Sequence, residues 1–273
     1  MKTQAEKAHA FAALHARKQA FVMPNPWDVG SARVLEALGF EALATTSSGF
    51  ATSIGRVDGQ AGRDAVIAHA AALSSATDVP VSGDLENGFG DAPEECAETI
   101  RRAAAAGLVG GSIEDFTGRR DQPLYELAQA SERIRAAAEA AHGLGFPFML
   151  TARAEGLLLR EPDLADVIRR LQAFQEAGAD VLFATGVRSA EDIAAIVREV
   201  DRPLNVLANL RGLALDVAQL EALGVRRISV GSLFANVAYG ALIHAARELE
   251  QQGSFGFATE ADRAHDLRKL LSR

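Results

Sequence analysis

The chain is 273 residues long, 48% hydrophobic and 23% charged, which is apolar enough to build a full core and excludes an intrinsically disordered protein. Lys plus Arg total 28 against 36 Asp plus Glu, a net charge of −8, and with no basic tract this excludes a typical nucleic-acid binder. No run approaches the ~18 consecutive apolar residues of a membrane span, residues 1–18 hold no signal-peptide core, and the lone Cys96 cannot form an intrachain disulfide; together these predict a cytoplasmic protein.

The first segment, 3–18, reads as a helix with Ala8, Phe11, Ala12, Leu14 and His15 on one side. Short β-branched runs then alternate with long Ala-rich helical stretches. Strands are expected at 21–24, 41–45, 79–84, 108–115, 146–153, 179–185, 202–208 and 226–232. The helices between and after them are expected at 28–38, 61–76, from Pro93, 124–142, 163–177, 189–199, 216–223 and 233–252. Gly39, Gly107, Gly178 and Gly224 each end a helical stretch as C-terminal caps. The tail, 254–273, is more polar but carries Phe255, Phe257, Leu267, Leu270 and Leu271, which suits a helical arm.

Strands separated by helices pair in parallel through right-handed crossovers. Eight such units in one chain predict a single-domain (β/α)8 TIM barrel over 1–273, with the N-terminal helix as a plug for its bottom. The doubly wound alternative needs a glycine-rich turn after the first strand, and Pro24-Asn25-Pro26-Trp27-Asp28 is not one.

Active sites of such barrels lie where strands end. All four lysines (Lys2, Lys7, Lys18 and Lys269) are near the ends of the chain, which disfavours a Schiff-base lysine in the core. The six histidines all fall in helical segments, which leaves little for a zinc site or a Ser-His-Asp triad. The strand ends instead supply acids: Asp58, Asp84, Glu86, Glu114, Asp115 and Glu155, with Arg153 among them. Six converging carboxylates need a cation. All-oxygen donors without His or Cys point to Mg²⁺, with Mn²⁺ as the alternative, held by few direct carboxylates and by waters that the others position. Asp91 and Asp28 read as cap or turn residues, and Cys96 as core. Ser47-Ser48-Gly49 reads as a small-residue turn able to aim backbone N–H groups at an oxyanion. Arg153 suits a substrate carboxylate.

The ordered set Trp27-Asp28 with Ser31-Ala32, Ser47-Ser48-Gly49, Gly83-Asp84-x-Glu86-x-Gly88-Phe89-Gly90, Ile113-Glu114-Asp115 and Thr151-Ala152-Arg153 resembles the isocitrate lyase / phosphoenolpyruvate mutase superfamily. The resemblance runs from about residue 20 to 250. It implies a Mg²⁺-dependent barrel, usually a homotetramer that exchanges its last helix between subunits, acting on small 2-oxo or 2-hydroxy acids through a pyruvate enolate. By this resemblance Asp84 binds the metal directly, and Asp58, Glu86 and Glu114 hold its water shell; the family often has Asp where Glu86 stands. Trp27, Ser48 and Gly49 would hold the pyruvyl part, Phe50 and Asn209 would also contact the substrate, and Arg153 would grip the carboxylate or enolate side.

The segment after Glu114-Asp115 departs from the family. The lyases carry a Lys-Lys-Cys-Gly-His lid and the mutases Lys and Asn, whereas Phe116 to Tyr125 holds no Cys, Lys or His. Arg119 and Arg120 would close over an anionic substrate instead. Decarboxylation of an oxaloacetate-like acid needs no strong acid for the leaving group, and decarboxylation and retro-aldol C–C cleavage are the leading forms. Phosphonopyruvate hydrolysis or P–C mutation comes second, and a non-catalytic dicarboxylate-binding barrel is the alternative of another class. A sugar-phosphate barrel would rest on Ser229-Val230-Gly231-Ser232 alone.

Overall fold

A computed structural model describes residues 2–159, 162–208, 212–261 and 264–272. Eight parallel strands run in the order β1-β8-β7-β6-β5-β4-β3-β2: β1 (Phe21–Met23), β2 (Leu43–Ala44), β3 (Val81–Asp84), β4 (Gly110–Glu114), β5 (Met149–Ala154), β6 (Val181–Ala184), β7 (Leu204–Leu207) and β8 (Arg227–Ser229). The N–H of Ala44 donates to Pro24 O at 3.1 Å and brings β2 onto the end of β1, so the sheet closes into the expected (β/α)8 barrel. Helices α2 (Val29–Ala37), α4 (Arg63–Ala76), α5 (Pro93–Ala105), α6 (Leu127–His142), α7 (Leu164–Glu176), α8 (Ala190–Glu199) and α9 (Val217–Ala222) surround it. The first helix, α1 (Gln4–Ala16), starts with a capping box between Thr3 and Glu6. A short helix, α3 (Ser47–Ser53), follows β2 directly.

The sheet separates two apolar clusters. Outside, residues such as Leu43, Val81, Ile113, Leu150 and Leu182 pack against the inner faces of the helices. Inside, at the strand starts, Phe11 and Leu14 of α1 pack against Phe21, Ala42 and Val109 and close the bottom of the barrel. This is the plug anticipated from the helical face of residues 3–18. Burying one such aromatic side chain contributes roughly 1.5–3 kcal/mol, and polar anchors hold the same helix: Lys7 donates to the carbonyl groups of Ser74 and Thr77, and Gln4 to those of Ala104 and Leu108.

The last three helices are α10 (Leu233–Gln252), α11 (Ala258–Ala261) and α12 (Leu267–Leu271). Only Ala235 of α10 is buried, and Val237 is 70% exposed. The arm returns to its own barrel: α12 packs on α2, and Arg33 donates to Leu271 O at 2.7 Å. Among the described residues no helix is long and apolar enough to cross a membrane.

Candidate active site

The C-terminal rim collects the expected acids on two adjoining cavities. The outer one, of about 890 Å³, is lined by Asp58, Glu86, Glu114, Arg153 and Glu155. The inner one, of about 310 Å³, is lined by Ser48, Asp58, Asp84 and Arg153 and continues into the barrel lumen. Asp84 is the last residue of β3 and Glu114 the last of β4. Period-two alternation turns both inward, because Ser82 and Ser112 two residues earlier also face the lumen.

The loop after β3 is bent to present Glu86. Glu86 adopts φ 50° and Phe89 φ 61°, a region that costs a non-glycine residue energy and collects at functional sites. Gly88, at φ 81°, lies so close to α5 that an added Cβ would meet Cys96 Sγ at 2.8 Å. Backbone bonds from Leu85 N to Ser112 O (3.3 Å) and from Glu114 N to Glu86 O (3.0 Å) strap the loop to β4. Cys96 is core, as its position in the sequence suggests, and burial pushes its thiol up to about 11.

Arg153 stands at the centre. Its Nη1 lies 3.3 Å from Glu114 and 3.5 Å from Asp84, and its Nε donates to Glu155 and, at 3.0 Å, to Thr185 Oγ1. Burial opposes its charge, but Glu155, Glu114 and Asp84 outweigh burial and hold it above the ordinary arginine range. The acids remain in excess. Burial, then Asp84 and Asp58, push Glu86 up to about 7. Burial likewise raises Glu114 and Asp58. Oε1 of Glu86 is buried with no hydrogen-bond partner. A buried carboxylate oxygen left without a donor, in an all-oxygen set, fits a hard divalent cation. Among the described residues no three His, Cys, Asp or Glu side chains are grouped closely enough to hold an ion on their own. The donor set therefore suits an ion that keeps several waters.

Several residues sit differently from expectation. Asp115 is turned away from the rim: it is 2% exposed, accepts from Glu155 N at 2.9 Å and pairs with Arg170 at 3.2 Å, so five acids converge and not six. Ser47-Ser48-Gly49 is the first turn of α3 and not a turn ahead of it. The N–H of Gly49 is used by the cap, donating to Thr46 Oγ1 at 3.2 Å, and the N–H of Ser47 donates to Asp84 Oδ2 at 2.9 Å. Of the two oxyanion donors expected, only the Ser48 N–H lacks a partner among the described residues. Gly49 instead permits close packing, since a Cβ there would meet Thr46 Cγ2 at 2.7 Å and Trp27 Cβ at 3.1 Å. Phe50 lines neither cavity; its ring stacks on His69 with centroids 4.0 Å apart. Trp27 is half-buried beside Gly49, with its carbonyl 3.0 Å from His69 Nε2. Asp28 caps α2, as read from the sequence.

Arg119 does not reach the cavities. It pairs with Asp91 at 2.8 Å, and Asp91 also accepts from the Tyr125 hydroxyl at 2.5 Å. Asp91 is thus a strap between the loop after β3 and the 116–125 segment and not a helix cap; Ala92 holds the cap position of α5. Arg120 is exposed. Asn209 lies outside the described residues. Glu155, read from sequence as one of the converging acids, also pairs with Arg153, and Asn25 had no role assigned from sequence. Asn25 joins three strand ends, donating to Thr45 O and accepting from the N–H groups of Val230 and Gly231, each at 2.9 Å.

Residues 11–250 match the profile of the phosphoenolpyruvate phosphomutase family. The chain belongs to that family, within the isocitrate lyase / phosphoenolpyruvate mutase superfamily. It is therefore an enzyme of a superfamily of carbon–carbon lyases and mutases. A crystal structure of a candidate lyase/mutase from Burkholderia cenocepacia J2315 is 52% identical, covers 99% of this chain and 98% of that one, and superposes with a TM-score of 0.96. The 2,3-dimethylmalate lyase of Eubacterium barkeri is 30% identical over 226 residues, 77% of this chain and 75% of that one. An oxaloacetate decarboxylase of Pseudomonas aeruginosa (strain LESB58) is 31% identical over 183 residues, 64% of this chain and 60% of that one.

Proposed function

We propose that the chain is a Mg²⁺-dependent lyase that breaks a small 2-oxo or 2-hydroxy carboxylic acid through a pyruvate-like enolate, by C–C cleavage or decarboxylation. The observation that carries this reading is the rim itself. Five carboxylates, one fixed guanidinium and the free Ser48 N–H face one connected space. The likeness to a dimethylmalate lyase and to an oxaloacetate decarboxylase supports the same bond class.

Asp84 would bind the ion directly, with Asp58, Glu86 and Glu114 holding its waters. Mg²⁺ (or Mn²⁺) there supplies Lewis-acid stabilisation of negative charge on the substrate oxygen. Arg153, already oriented by Glu155 and Thr185, presents its Nη atoms to the substrate carboxylate and spends no further ordering entropy. The Ser48 N–H donates to the oxygen on which charge develops, a contact whose loss typically costs about 10²–10³ in rate. Trp27, expected against the pyruvyl part, lines neither cavity and packs behind Gly49, where it supports the first turn of α3. In decarboxylation the electron pair of the breaking C–C bond passes to the enolate as CO₂ leaves, and the enolate carbon then takes a proton from water. No residue of the 116–125 segment has to donate to the leaving group, which accords with its lack of Cys, Lys and His.

The phosphomutase profile favours a second reading, P–C cleavage or transfer on phosphonopyruvate. The exposed apolar residues of α10, Val237, Leu242 and Ile243 among them, suit a homo-oligomer, a tetramer or dimer in which this helix is covered by another subunit. The free, buried Cys96 suits a reducing, cytoplasmic setting.

The test is pyruvate release from oxaloacetate, substituted malates, 2-methylisocitrate and phosphonopyruvate, each with and without Mg²⁺. Metal-dependent release from one C–C substrate is expected. Release from phosphonopyruvate alone would move the reaction to P–C chemistry. Silence across the panel with oxalate still bound would identify a binding barrel and overturn the lyase reading.

A further inference from the structure

The lumen of a (β/α)8 barrel is ordinarily filled by layers of bulky branched side chains. Here Ala44, Ser82, Ser112 and Ser229 face it, and the inner cavity runs from Ser48 and Asp84 at the rim to Arg227 at the floor. Arg227 is the first residue of β8, in register with Phe21, the first residue of β1. It is 3% exposed.

Its surroundings are polar but carry no counter-charge. Nε donates to Asn205 Oδ1 at 2.9 Å, and Nη1 faces His15 Nε2 at 3.5 Å. His15 Nδ1 lies 2.8 Å from the Phe11 carbonyl, so that nitrogen carries the proton and Nε2 is an acceptor on a neutral ring. The Asn205 amide donates to Ser229 Oγ at 3.0 Å. Among the described residues no carboxylate pairs with Arg227, and burial alone brings it down to about 9.

A buried charge is ordinarily paired. This one lines a cavity of about 310 Å³, against the ~30 Å³ that a water molecule occupies in the liquid. We propose that the floor of the lumen is a binding site for a compact monovalent anion, a halide or a one-carbon carboxylate such as formate. Arg227 supplies the charge. The Asn205 and Ser229 groups, which line the same cavity, supply hydrogen bonds to the ion and to waters around it. The site lies at the opposite ends of the strands from the acid-rich rim, where an anion would be repelled by five carboxylates.

The test needs no turnover, so its failure and failure of the lyase reading are separable. Crystals soaked in sodium bromide should show one anomalous peak in the lumen beside Arg227. In solution, bromide or formate exchanged for gluconate at constant ionic strength should raise the melting temperature of the full chain saturably, by roughly 5 °C at high excess over Kd. Arg227→Met should abolish that rise. A response to bromide alone would restrict the site to halides, and a response to both bromide and formate would assign it to compact anions generally. A lumen with no bromide peak, or an anion response retained in full by Arg227→Met, would overturn the proposal. Should that variant fail to fold, the bromide map of the unmodified protein decides.

Discussion

The two ends of the barrel lumen carry opposite imbalances of charge. At the rim, five carboxylates surround one arginine, Arg153, and one of their oxygens, Glu86 Oε1, has no donor. At the floor, one arginine, Arg227, faces an amide, a neutral histidine and hydroxyls, with no carboxylate among the described residues. Each end leaves uncompensated charge in a low-dielectric space where pairing matters most. The rim's excess is negative and opens to a large cavity, which suits exchangeable Mg²⁺ and substrate. The floor's excess is positive and is closed below by α1, which suits a resident ion. One strand scaffold thus serves both ends through side-chain choice at alternating positions: Ser82 and Asp84, Ser112 and Glu114, Arg227 and Ser229.

The largest effect that could break this comparison is at the rim. Asp84→Ala should lower kcat/KM for the metal-dependent pyruvate release by about 10³-fold, the rate equivalent of roughly 4 kcal/mol. Steady-state kinetics at saturating Mg²⁺ would check it, and a loss below tenfold would remove Asp84 from its direct position. Glu86→Gln, if Glu86 orders the ion's waters, should weaken Mg²⁺ binding about 10–100-fold with the fold intact. A Mg²⁺ titration that matches the unmodified protein would make Glu86 a loop residue only.

The floor is sharpened by pH. Burial, and then Arg227, hold His15 near 3 against an ordinary 6.5. The unfolded chain therefore binds one more proton between those values, so stability is full above about pH 6.5 and falls as pH drops toward 3. The slope from this group is about 1.4 kcal/mol per pH unit. His15→Leu should flatten urea-derived stability between pH 6 and 4 by that amount. An unchanged slope would mean that His15 is not neutral in the folded protein. Smallest is the strap beside the rim: Tyr125→Phe removes the bond to Asp91 and should cost about 1 kcal/mol in urea unfolding. A change below 0.3 kcal/mol would show the strap to be solvated, on that ~1 kcal/mol scale.

Much of the barrel was legible because its periodicity is carried by many residues. Eight β-branched runs, each followed by an Ala-rich stretch, and glycines after α2, α5, α7 and α9 all agree. The rim acids were legible because Asp and Glu at strand ends have few other reasons to be there. What escaped depends on orientation. Asp115 follows Glu114 and so points to the other face, where Arg170 meets it. Phe50 follows Gly49 into α3, a helix too short to show a period, and its ring turns to His69. Arg119 was placed by its charge alone, and Asp91, distant in sequence, captures it. Arg227 left one signal: in Arg227-Ile228-Ser229 the polar residues alternate with an apolar one, the reverse of a strand whose lumen side is apolar.

The most direct test of the central claim is calorimetric titration of Mg²⁺ into the full chain with and without oxalate, repeated on Asp84→Ala. The account predicts one ion per chain, tighter binding when oxalate is present, and no binding in the variant. Equal Mg²⁺ affinity in Asp84→Ala, or no Mg²⁺ binding with oxalate present, would contradict it.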